Sequence, residues 1–64
     1  MKKFYCVATI IHSNGEVQSN VVSSKFSDEI PKASMDVTED ADYYYDWFER
    51  LKDANEFVEL TKKK

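Results

Sequence analysis

Thr38–Asn55, TEDADYYYDWFERLKDAN, is the stretch on which the reading of this chain turns. Five of the nine aromatic residues lie between Tyr43 and Phe48. Wound as a helix, Ala41, Tyr44, Tyr45, Phe48 and Leu51 fall on one side at i, i+3, i+4, i+7 spacing. Glu39, Asp42, Asp46, Glu49 and Asp53 fall on another, in alternating steps of three and four residues. Tyr43, Trp47 and Ala54 widen the apolar arc to roughly 200°, about twice what a helix needs to pack on one core. The periodicity predicts a helix over residues 38–55. The surplus arc predicts a contact surface on its flank.

Both ends of this helix carry signals. Asp36 and Thr38 compete for the N-cap, with Glu39 and Asp40 placing acid at the positive end of the helix dipole. Asp46 and Arg50 form a favourable i, i+4 pair, and Asn55 is suited to the left-handed conformation that ends helices. Beyond it, Glu56–Thr61 reads as a final strand, with Val58 and Leu60 opposite Phe57 and Glu59. Residues 62–64 read as a disordered basic tail.

Upstream, Lys3–Ile11 and the apolar positions of Val17–Phe26 are rich in aromatic and β-branched residues, the composition of strands. Asn14-Gly15, holding the only glycine, suits a type I′ two-residue hairpin loop. That loop pairs Ser13 with Glu16, Ile11 with Gln18 and Val7 with Val22. It puts Phe4, Cys6, Ala8, Ile10, Val17 and Val21 on one face. Tyr5, Val7, Thr9, Ile11, Val22 and Phe26 fall on the other, and the sequence does not say which face the helix covers. Pro31 restrains Ile30 and marks a connector. After it, Lys32–Val37 reads as an edge strand with Ala33, Met35 and Val37 on one face; a short helical turn from Ser27 is the alternative. The expected fold is α+β. A single small domain, 1–64, consists of an antiparallel hairpin and one or two further strands packed by one amphipathic helix, ββ(β)αβ.

A 64-residue chain buries only about 60% of the surface its unfolded form exposes, so burial and chain entropy nearly cancel. One cysteine, Cys6, forms no internal disulfide, and Cys6 with His12 is too few ligands for a structural zinc. A well-packed aromatic core, self-association as a homodimer, or both must make up the deficit. From Asp28 to Glu59 eleven acidic residues face three basic ones, Lys32, Arg50 and Lys52, although the net charge is only −3. Such a chain is a poor direct nucleic-acid binder and a better partner for something basic. No apolar run approaches the 18 or so residues of a membrane span, and the unpaired thiol suits a cytoplasmic setting.

The catalytic inventory is thin. Cys6 and His12 lie six residues apart on one strand, about 20 Å, which excludes a dyad within it. Cys6 reads as a small core residue and His12, beside the turn, as solvated. One glycine excludes G-x-G-x-x-G and phosphate-binding loops. The acidic run from Asp36 superficially resembles a calcium loop, but Ala41 stands where that loop turns on glycine and Trp47 where its bidentate Glu belongs. Carboxylate pairs such as Asp42 with Asp46 imply no pocket. No enzyme activity, metal or cofactor is expected.

Two contact signals remain. The acidic stripe Glu39, Asp42, Asp46, Glu49 and Asp53 spaces its charges about 5 Å apart on a helix, a row able to imitate a nucleic-acid backbone. The aromatic flank Tyr43, Trp47 and Arg50 holds the residue types most enriched at interface hot spots. In composition the chain resembles the small accessory inhibitors of host or defence enzymes carried by phages and other mobile elements. That resemblance implies a cytoplasmic, non-catalytic binding protein whose partner is a protein, such as a nucleic-acid enzyme. The alternative is a structural or regulatory module that completes a homo-oligomer or a larger assembly.

Overall fold

The stretch 38–55 is not one helix. In the computed structural model, which describes residues 1–62, it divides into a turn, a strand and the start of a helix. The elements are β1 (Lys2–His12), β2 (Val17–Ser27), β3 (Ser34–Val37), β4 (Ala41–Phe48) and α1 (Leu51–Lys62). The four strands form one antiparallel sheet in the order β2-β1-β4-β3, with α1 packed on one face. The α+β class, the hairpin, the edge strand after Pro31 and the single packing helix are as the sequence implies. The element order is ββββα rather than ββ(β)αβ.

Two corrections produce that order. ADYYYDWF, expected in mid-helix, is β4, and LKDANEFVELTK, expected as a helix end followed by a strand, is α1. The aromatic run satisfies period 2 as well as period 3.6, and Tyr, Trp and Phe fit a pleated surface better than a helix. Eight such residues beside the long strand β1 gain a ladder with it. Leu51–Lys62, by contrast, is rich in Leu, Lys, Glu and Ala, which lose little on entering a helix. Its stripe is Ala54, Phe57, Val58 and Thr61, again i, i+3, i+4, i+7; Ala54 and Val58 are buried. Asn55, expected to end a helix, sits inside this one, and Leu51, expected in a core stripe, is exposed.

Neither Asp36 nor Thr38 caps the helix. Arg50 does, its carbonyl accepting the Ala54 N–H at 3.1 Å, so the expected Asp46–Arg50 helical pair does not arise. Asp53 in the first turn and Lys62 in the last match the helix dipole. Thr38 instead closes the β3–β4 turn. Its hydroxyl donates to the Ala41 carbonyl at 3.0 Å and accepts the Ala41 N–H at 3.1 Å. Lys62 ends α1, while residues 63–64 of the expected tail lie outside the described residues.

The first hairpin also differs in detail. Only Gly15 has positive φ, +92°, and its N–H donates to the His12 carbonyl at 2.9 Å. A type I turn over His12–Gly15 with glycine as the bulge residue replaces the type I′ loop. The register therefore starts one residue off expectation, pairing Ile11 with Val17 and Val7 with Val21. A second irregularity between Cys6 and Val7 skips Val22 and restores the expected alignment, with Cys6 opposite Ser23 and Tyr5 opposite Ser24. Residues opposite one another share a face. The bulge thus brings Val17, Val21 and Phe26 to the side of Ile11, Val7 and Lys3, where the simple register split them.

That side is the one α1 covers. Val7, Ala54 and Val58 form the centre of the core, ringed by Tyr5, Val21, Phe48 and Phe57. The rings of Phe48 and Phe57 lie 5.2 Å apart between centroids, tilted at 44°. Beside them Thr9 and Ser19, both buried, share a hydroxyl–hydroxyl hydrogen bond at 3.3 Å. Residues 28–33 join β2 to β3 across the whole sheet. Ser27 sits level with Lys2 and Ser34 level with Ala8, so the connector runs diagonally, roughly 24 Å, close to full extension for its length. Ile30-Pro31 favours that extended backbone. Phe4, 1% exposed on the side away from α1, lies where this crossing has to pass.

Candidate binding surfaces

β4 is the element that sorts the candidate residues, because a strand sends alternate side chains to opposite faces. Phe48 packs against α1, so Phe48, Asp46, Tyr44 and Asp42 share the helix side. Trp47, Tyr45, Tyr43 and Ala41 share the other. On that second face they stand beside Cys6, Ala8, Ile10 and His12 of β1, respectively. Cys6, Ala8 and Ala41 are buried there, and Tyr43, Tyr45 and Trp47 are half-buried. Among the described residues no helix or second sheet lies over them.

The aromatic flank is rearranged. Tyr43 and Trp47 do share a surface, but through strand alternation, and Tyr45 lies between them. Arg50 leaves the group; it is exposed in the link to α1. Tyr45 was missed because helical spacing assigned it to the core with Tyr44, whereas adjacent strand residues point opposite ways.

The acidic stripe does not form a row. Glu39 lies in the β3–β4 turn, and Asp42 and Asp46 are on β4. Those two share a face but stand about 13 Å apart along the strand, against about 6 Å on a helix. Glu49, beyond β4, is 3.5 Å from the Lys2 ammonium, and Asp53 is in the first turn of α1. The regular 5 Å spacing that suggested backbone mimicry depended on a helix that is not there.

Cys6 is buried and free, and burial pushes its thiol pKa above the ordinary 9.0. The nearby Asp46 carboxylate acts in the same direction, while a hydrogen bond with Ser23 opposes both. Those conditions hold the thiol protonated and inert, as befits a small core residue. His12, expected to be solvated, is half-buried at the end of β1, and its buried Nε2 has no hydrogen-bond partner among the described residues. Among the described residues no three His, Cys, Asp or Glu side chains gather around a common point. No helix among them is long and apolar enough to cross a membrane.

Comparison with protein families, with curated proteins and with solved structures found no match to this chain.

Proposed function

We propose that this protein is a non-catalytic binding protein that blocks another macromolecule by contact, through the aromatic row Tyr43, Tyr45 and Trp47. One observation carries this reading: Tyr43, Tyr45 and Trp47 stand in a half-buried row on the sheet's second face, and among the described residues no helix or second sheet packs over them. Tyr and Trp supply rigid contact area at low entropic cost and dominate interface energetics. A small acidic chain of this kind suits a phage or mobile-element inhibitor of a host or defence enzyme, working in the bacterial cytosol. Steric blockade is the favoured mechanism. Phosphate mimicry is the weaker one, because Glu39, Asp42, Asp46, Glu49 and Asp53 are dispersed over a turn, a strand, a link and a helix.

A second reading, a module that completes a homodimer or larger assembly, is favoured by β2. This 11-residue strand lies at the sheet edge with no further strand beside it among the described residues, and its Val22 is 56% exposed. Long open edges template pairing with another chain.

One experiment separates the readings. Tagged protein is used to capture partners from bacterial lysate, with washes at low and then high salt, alongside Trp47→Ala and an Asp42→Lys/Asp46→Lys double variant. Steric binding predicts a partner that survives high salt and is lost with Trp47→Ala. Mimicry predicts a nucleic-acid enzyme released by salt and lost with the charge reversal. Recovery of the protein alone, sedimenting as a dimer, would replace the inhibitor reading with self-assembly.

A further inference from the structure

Four strands are wider than one helix. The outer strands of this sheet are separated by roughly 14 Å, whereas a helix with its side chains is about 10 Å across. α1 packs mainly on β2, less on β1, least on β4 and not at all on β3. The helix-side face of β4 and β3 is left as a shelf alongside α1. Register places Asp42, Tyr44 and Asp46 on it from β4, and Met35 and Val37 from β3. Met35 is 57% and Val37 62% exposed. A shallow hollow of about 260 Å³ opens at one end, where Met35, Tyr44 and Asp46 meet Ala33 and Ser34.

The flank of α1 forms the wall of this shelf. Phe57 turns towards Phe48 of β4, so its neighbours at i−4 and i+3, Asp53 and Leu60, lie on the same flank. Leu60 is 72% exposed. The charges that register places on this shelf are acidic, Asp42 and Asp46 from β4 with Asp53 on the adjoining flank of α1, while Lys32 and Arg50 lie outside it in the connector and in the link to α1. The ion pairs among the described residues engage Asp28 and Glu49, and none engages Asp42, Asp46 or Asp53.

This combination selects among possible covers. A neutral apolar partner would strip water from the Asp42 and Asp46 carboxylates and return nothing. A second copy of the chain would bring the same carboxylates, and an α1 with Asp53, Glu56 and Glu59 against Lys52 and Lys62, into a field of like charge. An amphipathic helix with Lys or Arg along its polar margin meets both demands. Its apolar face covers Met35, Val37, Tyr44 and Leu60, while its cations reach the carboxylates. We infer that the β3–β4 shelf is a docking groove for a basic amphipathic helix of a partner protein, which lies beside α1 as the second helix of that layer. The groove is on the opposite face from the aromatic row, so either surface can fail without the other.

The test is a titration of isotope-labelled protein, followed by amide chemical shifts. One probe is a peptide of about 14 residues, long enough as a helix to follow β4, with Leu on one face and Lys on its margins. The other is its Leu/Glu counterpart. The inference expects the Leu/Lys peptide to shift Met35, Val37, Tyr44, Asp46 and Leu60, and the Leu/Glu peptide to leave them unmoved. Asp42→Lys/Asp46→Lys should weaken the Leu/Lys peptide by about tenfold or more, equivalent to about 1.4 kcal/mol. If that variant loses its folded spectrum, Met35→Glu at the exposed edge serves in its place and should weaken binding similarly. No response to the Leu/Lys peptide at millimolar concentration, an equal response to both peptides, or shifts confined to Tyr43, Tyr45 and Trp47 would each overturn the inference.

Discussion

Adjacent valines on β2 provide the sharpest test of how this chain folds. A regular two-residue hairpin would set Val22 opposite Val7 and turn Val21 to the other face. With the observed bulge, Val21 stands opposite Val7 within the core ring, and Val22 is skipped and 56% exposed. Replacing either by Ala removes the same two methyl groups and the same strand preference. At about 0.8 kcal/mol per buried methyl, full burial would make the loss roughly 1.6 kcal/mol, with a cavity contribution in addition. Val21 is mostly buried and should lose most of that. Val22, with less than half its surface covered and no core neighbour, should lose well under half. Val21→Ala is therefore expected to exceed Val22→Ala by about 1 kcal/mol, or roughly 4–8 °C in Tm for a domain of this size. Urea unfolding followed by Trp47 fluorescence measures both variants against wild type. Equal losses, or a larger loss for Val22→Ala, would refute the bulged register and with it the assignment of the helix-side face.

The remaining predictions concern α1 and the thiol. Asn55→Pro places proline inside α1, where it removes a hydrogen bond and clashes with the preceding turn; it should cost about 3 kcal/mol or more and abolish cooperative unfolding or nearly so. An unchanged melting profile would reject the placement of residue 55 inside a helix. Cys6 should be slow to alkylate in the native protein and fast in urea, and rapid native labelling would contradict its burial. Its raised pKa also carries a sign. Above the ordinary 9.0 the unfolded thiol loses its proton while the native thiol keeps it, so the native state binds more protons and stability falls as pH rises towards the native pKa. Cys6→Ala should remove that component, with a slope of at most about 1.4 kcal/mol per pH unit, in paired denaturation series above pH 9.0.

Much of the architecture is legible in the sequence. Hydrophobic content and turn chemistry around Asn14-Gly15 specify a hairpin, because only Gly15 relieves the positive-φ position that any tight loop there requires. Pro31 marks the connector, and Met35 and Val37 alternate onto one face of the edge strand as their spacing implies. Local composition also contains α1: the Ala54, Phe57, Val58, Thr61 stripe and its strong helix formers are visible in the sequence. The aromatic periodicity upstream is the stronger of the two helical signals.

Tertiary pairing decided the rest. For Ala41–Phe48 both periods fit, and the choice was made by β1, an 11-residue strand whose second edge needed a partner. That choice separates residues a helix would bring together: Tyr44 from Tyr45, Arg50 from Trp47, and the five stripe carboxylates from one another. Aromatic clustering by itself determined that Tyr43 and Trp47 would lie together, since both i, i+4 on a helix and i, i+4 on a strand keep them on one side. Which face they occupy, and that Asp42 and Asp46 line an apolar shelf beside α1, depended on side-chain alternation within a sheet. The strand order and the position of one helix over four strands then completed that arrangement, and neither is encoded in any local stretch.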